Sequence, residues 1–186
     1  MSLKNFFPDM TPAMSAACLA FVSLALASCS SPDAREYEIP ETLCGANIPK
    51  DLLGSILPNG KEISKKEKVG MGSKFCYLSV DGKEAFAAAV EWRAEGTPLT
   101  DVAKGMHGID PSDKITPDRR YIYSATGAAG LVECADPSLI DKDVKGDLFT
   151  WIYAAGATKG EGDIKSLIKA YTEAMATSDA CRNKIW

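Results

Sequence analysis

An apolar run near the start of the chain decides how much of the sequence is left to form a folded domain. Residues 14–27 consist of Ala, Leu, Val, Phe, Met and Cys apart from Ser15 and Ser23. A helix that crosses a bilayer needs about 20 such residues, whereas the apolar region of a secretory signal contains roughly 7–15. The run therefore predicts a signal peptide over residues 1–28. The alternative is a buried core helix of a soluble protein that ends at a cysteine.

The run closes with Leu26-Ala27-Ser28-Cys29, which places small side chains directly before a thiol. Small residues let an extended chain enter a peptidase groove, and the thiol is a nucleophile for attachment of a diacylglyceryl group. The stretch resembles the lipobox of bacterial lipoproteins. That resemblance implies that Cys29 is lipidated and becomes the first residue of the mature chain. The segment before the run departs from a typical signal, because Lys4 and the α-amino group are its only positive charges and Asp9 opposes them.

A polar segment follows the predicted lipidation site. Residues 30–38 are rich in Ser, Pro and charged side chains and contain almost no apolar ones. They predict that residues 29–39 form a lipidated tether, and that residues 40–186 form a single domain. The 158 residues from Cys29 onward are enough to bury a core.

The cysteines indicate how that domain is stabilised. Of the six cysteines, Cys18 lies in the predicted signal peptide and Cys29 is the predicted lipidation site. An exported chain meets an oxidising compartment, so the even number left predicts two disulfides, with three possible connectivities. We favour Cys44–Cys76, which flank one local unit of sequence, and Cys134–Cys181, which would join a C-terminal helix back to the sheet. Zinc is the alternative, but no Cys-x-x-Cys spacing occurs and His107 is the only histidine.

The first half of the domain mixes helical and strand patterns. Apolar spacing after Pro49 predicts a helix to Leu57, and the Gly- and Lys-rich residues 59–74 read as a solvated loop. Residues 75–80 and 86–92 then form two strands around the turn signal Asp81-Gly82. A short helix follows over residues 99–106, for which Thr97 or Thr100 would be the cap.

The second half adds three strands and a long helix. The predicted strands cover residues 120–124, 130–134 and 148–154, with a Gly/Ala turn between the first two. Asp163 is the predicted cap of an amphipathic helix that runs to about Cys181. The fold class is therefore α+β: an antiparallel sheet flanked by helices, with a long C-terminal amphipathic helix, stapled by two disulfides.

Several of these segments also carry a family resemblance. The lipobox, "PETLCG" (40–45), "FCYLSVDG" (75–82), "ECADP" (133–137) and a final helix near a cysteine resemble small cell-envelope lipoproteins of actinobacteria such as streptomycetes. More distantly, the order of elements is similar to actinobacterial lipoproteins with a PsbP-like α+β sandwich. The resemblance implies a protein held by lipid on the outer face of the cytoplasmic membrane. A shared fold does not by itself supply an activity.

Motifs that carry chemistry are weak in this chain. Residues 141–147 resemble the start of a calcium loop, but Lys145 and Ile152 occupy positions that require oxygen ligands. His107 would have to serve any serine or cysteine hydrolase, and no Gly-x-Ser-x-Gly motif accompanies it. Trp186 is either docked on the domain or exposed to a partner. We therefore predict no catalytic, cofactor-binding or metal-binding residues.

The net charge of −4 argues against nucleic acid as a partner, because phosphates require a basic surface. The favoured hypothesis is a membrane-anchored extracytoplasmic lipoprotein that is not an enzyme. It would contact the membrane through Cys29 and bind an envelope protein or a small ligand. One alternative is a cell-wall enzyme that uses carboxylates in a deep groove, and another is a structural accessory of a membrane complex. Two facing acids in a pocket would favour the enzyme, and an apolar surface would favour the binding protein.

Overall fold

In the computed structural model, which describes residues 34–136, 146–155 and 160–182, a seven-stranded antiparallel sheet carries helices on both faces. A separate two-stranded hairpin precedes this sheet. The predicted α+β class is confirmed. The elements in chain order are β1 (Thr42–Leu43), β2 (Ala46–Asn47), α1 (Lys50–Ile56), β3 (Ile63–Gly70), β4 (Ser73–Val80), β5 (Lys83–Arg93), α2 (Leu99–Ala103), β6 (Lys114–Ile115), β7 (Tyr121–Tyr123), β8 (Gly127–Val132), β9 (Asp147–Ala154) and α3 (Glu161–Met175), followed by a short 3₁₀ helix, Asp179–Arg182.

The large sheet consists of two antiparallel meanders joined by the last strand. The strand order is β3-β4-β5-β9-β8-β7-β6, so β9 lies between the ends of the two meanders. Phe149 is opposite Glu91 on β5 and Leu131 on β8. Because β9 has a neighbour on each side and is covered on both faces, its sequence is almost continuously apolar, which made it easy to predict.

The turn between β4 and β5 has the geometry that the sequence predicts. Asp81 and Gly82 both have positive φ, 49° and 75°, as the two central residues of a tight hairpin turn require. The Asp81 carboxylate also accepts hydrogen bonds from the backbone N–H groups of Glu62 and Lys61. These bonds lower the pKa of Asp81 and tie the turn to the start of β3.

The first face of the sheet is covered by α3, with α1 beside it. The predicted apolar stripe of α3 is confirmed. Its side chains are fully buried at Ile164, Leu167, Ile168, Tyr171 and Met175. On the opposite face, α2 covers a second and smaller core over β7, β8 and β9. Both faces of the sheet are therefore apolar near its centre.

The sequence interpretation of residues 59–74 as a loop is wrong, because most of this segment is strand β3 and its turn into β4. β3 is an edge strand that pairs only with β4, and nearly all of its residues are exposed. An edge strand without a buried face does not show the apolar alternation on which strand prediction depends.

The predicted helix caps and one helix boundary are also wrong. Pro98 occupies the N-cap position of α2 and Gly160 that of α3, and neither helix has a side-chain cap. α3 ends at Met175 rather than near Cys181. A buried Thr172 bonds back to the Ile168 carbonyl in the last turn, and the Ser178 hydroxyl accepts from the Ala180 N–H beyond it. The chain then continues into the 3₁₀ helix.

Two disulfides join the elements, with the predicted connectivity. Cys44 and Cys76 have Cα atoms 5.7 Å apart and fasten the β1–β2 hairpin to β4. Cys134 and Cys181, at 5.5 Å, fasten the segment after β8 to the 3₁₀ helix. Each bridge closes a long loop and so lowers the entropy of the unfolded chain.

Candidate functional site

A groove of about 690 Å³ opens on the face of the sheet that carries α2. Its apolar lining includes Leu99 at the start of α2, Leu131 on β8, Phe149 on β9 and the exposed Ile115 on β6. Leu99 and Phe149 belong to the second core, and Leu131 packs against that core while staying partly exposed. The groove is therefore an open extension of the second core.

One wall is the turn that connects β5 to α2. Gly96, at φ 76°, donates its backbone N–H to the Asp147 carboxylate at 2.7 Å. The Thr97 hydroxyl donates to the Ala94 carbonyl in the same turn. Asp147 is the first residue of β9, so this hydrogen bond attaches the wall to the central strand of the sheet.

The opposite wall is the turn between β6 and β7. The Thr116 hydroxyl bonds to the Asp118 carboxylate, which also accepts the backbone N–H of Arg120 at 3.2 Å. These hydrogen bonds lower the pKa of Asp118. They hold Arg119 in the left-handed region at φ 55°, a conformation that is unfavourable for a residue with a side chain.

Arg119 differs from the other arginines of the chain. All five arginines lie in the described ranges, and four of them use the guanidinium in a hydrogen bond or an ion pair. No such partner is found for Arg119 among the described residues, and its side chain is exposed beside the groove. A guanidinium offers a planar set of donors suited to carboxylate, phosphate or sulfonate oxygens.

The groove thus combines an apolar floor, a free cation and threonine hydroxyls. Small-molecule sites typically have a mainly apolar lining with a few polar groups that orient the ligand. The residues along this groove include no acidic side chain, histidine or cysteine. The arrangement suits binding of a small molecule with an apolar body and an anionic group.

Some of the residues that the sequence analysis discussed lie in the described ranges and others do not. His107 is exposed, its ring is 6.2 Å from that of Tyr153, and its carbonyl accepts the Trp151 indole N–H at 3.1 Å. Its role in these contacts is structural. Cys29 and Trp186 lie outside the described residues, as does most of the segment that resembles a calcium loop.

Within the described ranges, no group of three His, Cys, Asp or Glu side chains is placed to hold a metal ion. Among the helices that the structure describes, none combines the length and apolar content that a bilayer crossing requires.

The groove was not predicted, although the sequence contains a local signal for the two turns that form its walls. Two Thr-Pro pairs, Thr97-Pro98 and Thr116-Pro117, lie in the two wall turns. Proline after threonine indicates a turn, so both turns could have been anticipated. Nothing in the sequence indicates that turns 19 residues apart lie on either side of one groove.

Comparison with known proteins adds no family to this description. No protein-family model matches the chain, and no curated protein or solved structure shows significant similarity to it.

Proposed function

We propose that this chain is a lipid-anchored extracytoplasmic lipoprotein of the actinobacterial type, and that its domain is a non-enzymatic binding module. The groove beside Arg119 would hold a small amphipathic anion. The observation that carries the binding role is the free guanidinium of Arg119 above an apolar floor. The lipobox-like stretch that ends at Cys29 supports the anchor, and the two disulfides are consistent with an oxidising compartment.

The groove favours an anion over a neutral or cationic ligand. Arg119 pairs with no carboxylate of the described residues, and it is the only charged residue that lines the groove. The carboxylates in the two walls, Asp118 and Asp147, accept hydrogen bonds from the backbone N–H groups of Arg120 and Gly96. The Arg119 guanidinium is therefore the charged group that the groove offers to a ligand. The apolar floor then selects anions that carry a hydrophobic body.

Mass spectrometry of membrane-extracted protein tests the anchor. We expect an N-terminal peptide that begins at an acylated Cys29 and no peptide from residues 1–28. A Cys29→Ala variant should lose its membrane association. Recovery of an intact signal segment in mature protein, or an unchanged location of the variant, would contradict the anchor.

Titration with an apolar aromatic anion, anilinonaphthalene sulfonate, tests the groove. The protein used is the chain from Ser31 onward, which forms a compact unit of its own. Arg119→Ala should weaken binding about tenfold or more, since a hydrogen bond to a charged group contributes about 1.5–3 kcal/mol. Lys104→Ala is the matched control, because Lys104 is an exposed cation on the α2 side that does not line the groove. Equal effects of the two variants would reject the groove as the binding site.

A further inference from the structure

The hairpin of β3 and β4 ends in an exposed apolar tip. Val69 is 57% exposed and Met71, in the turn, is fully exposed. In the part of the chain that the structure describes, the only other large apolar residue with high exposure is Ile115, on the far edge of the sheet. We call Val69 and Met71 together the β3–β4 tip. Two exposed apolar side chains at one turn point to a contact with something outside the domain.

The strand that leads to this tip is basic. Residues 61–74 contain five lysines and two glutamates, in a chain with a net charge of −4. Glu67 pairs with Lys65 and with Lys74 on the α3 side of the sheet. On the other side, Lys66 and Lys68 pair with no carboxylate of the described residues, and the Lys68 ammonium lies 5.4 Å from the centre of the Tyr77 ring. A net positive charge therefore accompanies the apolar tip.

Protection of a sheet edge explains only part of this pattern. Lysines on an edge strand prevent the pairing of one sheet with another, and Lys66 and Lys68 would serve that purpose. Exposed Val69 and Met71 act in the opposite sense, because they add apolar surface to the edge. Apolar side chains beside unpaired lysines are typical of a segment that enters the interface of an anionic bilayer.

The position of the tether makes such a contact possible. The Glu36 N–H donates to the Gly60 carbonyl, so the start of the domain lies beside the segment that leads into β3. The tip lies beyond the far end of this strand, which is itself about 23 Å long at 3.3 Å per residue. The chain from Cys29 to Arg35 can span at most about 20 Å. A membrane that holds the lipid can therefore run along the whole β3 edge.

We propose that the β3 edge and the β3–β4 tip form a second contact of this protein with the membrane. Met71 and Val69 enter the boundary between headgroups and acyl chains, and Lys66 and Lys68 lie against the phosphates of anionic lipids. This inference rests on the proposed lipid anchor at Cys29. The contact would fix the orientation of the domain relative to the bilayer.

Fluorescence of a labelled protein tests the contact. The full protein, extracted from membranes, carries a nitrobenzoxadiazole group on Met71→Cys and is reconstituted into vesicles of phosphatidylcholine with or without phosphatidylglycerol. We expect emission at shorter wavelength and loss of quenching by a water-soluble quencher when phosphatidylglycerol is present. Adding Lys66→Glu and Lys68→Glu should reverse both changes. The control is Lys104→Cys with the same label, which should stay accessible to the quencher.

The outcomes separate this inference from the anchor. An acylated Cys29 together with a fully quenched label at position 71 would overturn the second contact and leave the anchor standing. A shielded label on a chain without lipid at Cys29 would support the contact and overturn the anchor. Shielding that requires membrane proteins, and that is missing in pure lipid vesicles, would overturn the contact in favour of a protein partner.

Discussion

α3 packs against the sheet at Gly130 with no room for a Cβ atom, and this contact leads to a quantitative prediction. A Cβ atom placed on Gly130 would lie 2.4 Å from the Thr172 hydroxyl oxygen of α3 and 3.1 Å from the Thr150 hydroxyl oxygen of β9. Ordinary contacts of this kind are 3.4–4 Å long. Gly130→Ala therefore requires the Thr172 side chain or the helix to move by about 1 Å, a small-to-large change in a packed core.

The Thr172 hydroxyl is not free to move away. It donates to the Ile168 carbonyl at 2.7 Å and shares a hydrogen bond of 2.6 Å with Thr150, and both threonines are fully buried. Overpacking of a core costs about 1–3 kcal/mol, and the loss of one buried hydrogen bond costs about 1 kcal/mol more. We expect Gly130→Ala to lower the free energy of unfolding by about 2–4 kcal/mol.

Chemical denaturation of a set of variants tests this explanation. Thr172→Ala removes the atom that collides most severely, while the 3.1 Å contacts of the added Cβ with Thr150 and Tyr121 remain. Gly130→Ala should therefore cost less stability in the Thr172→Ala background than in the wild type. Gly162→Ala is the matched control, because no atom lies within 4 Å of its added Cβ and the residue is helical. It should raise stability by about 0.5 kcal/mol. A neutral Gly130→Ala, or an equal cost of Gly130→Ala in both backgrounds, would refute the reasoning.

Three further results are expected from denaturation. Leu167→Ala should lower the free energy of unfolding by about 2–5 kcal/mol, because the Leu167 side chain is fully buried. Lys169→Ala should lower it by less than about 0.5 kcal/mol, because Lys169 is exposed. Equal losses in the two variants would contradict the packing of α3 on the sheet. Arg119→Gly should raise stability by about 0.5 kcal/mol through relief of its left-handed backbone while it weakens binding of the aromatic anion; a clear loss of stability would contradict the strain. The lowered pKa of Asp118 means that its carboxylate stabilises the fold above the unfolded pKa of about 3.9, and that this contribution is lost as the pH falls through the folded pKa. The stability difference between wild type and Asp118→Asn should therefore shrink below about pH 3.9, and a difference that grows there would contradict the assignment.

The elements that sequence reasoning predicted best are those whose pattern is set by burial. β9 and the apolar stripe of α3 lie in the core, so their residues carry the period of their structure. The Asp81-Gly82 turn was predictable because only a few residues tolerate its backbone angles. β3 was missed for the opposite reason, since an exposed edge strand accepts almost any polar residue.

The disulfide pairing could be predicted from the sequence, whereas the groove could not. The pairing of Cys44 with Cys76 was predictable because both belong to one local unit. The groove depends on two turns that meet only after the sheet has formed, and Arg119 becomes distinctive only through the partners it lacks in the described structure. Such features depend on tertiary distances, which the order of residues does not contain.

The place of β9 in the sheet has a consequence for the order of folding during synthesis. A chain emerges from the ribosome N-terminus first, so the meanders β3–β5 and β6–β8 appear before the strand that joins them. Until residue 154 has emerged, β5 and β8 are both open edges, and the Ala-rich stretch of β5 is available to other chains. Completion of the sheet also requires pairings that are distant in sequence, which slows folding. The interval before β9 arrives is thus the period in which this protein is most exposed to aggregation.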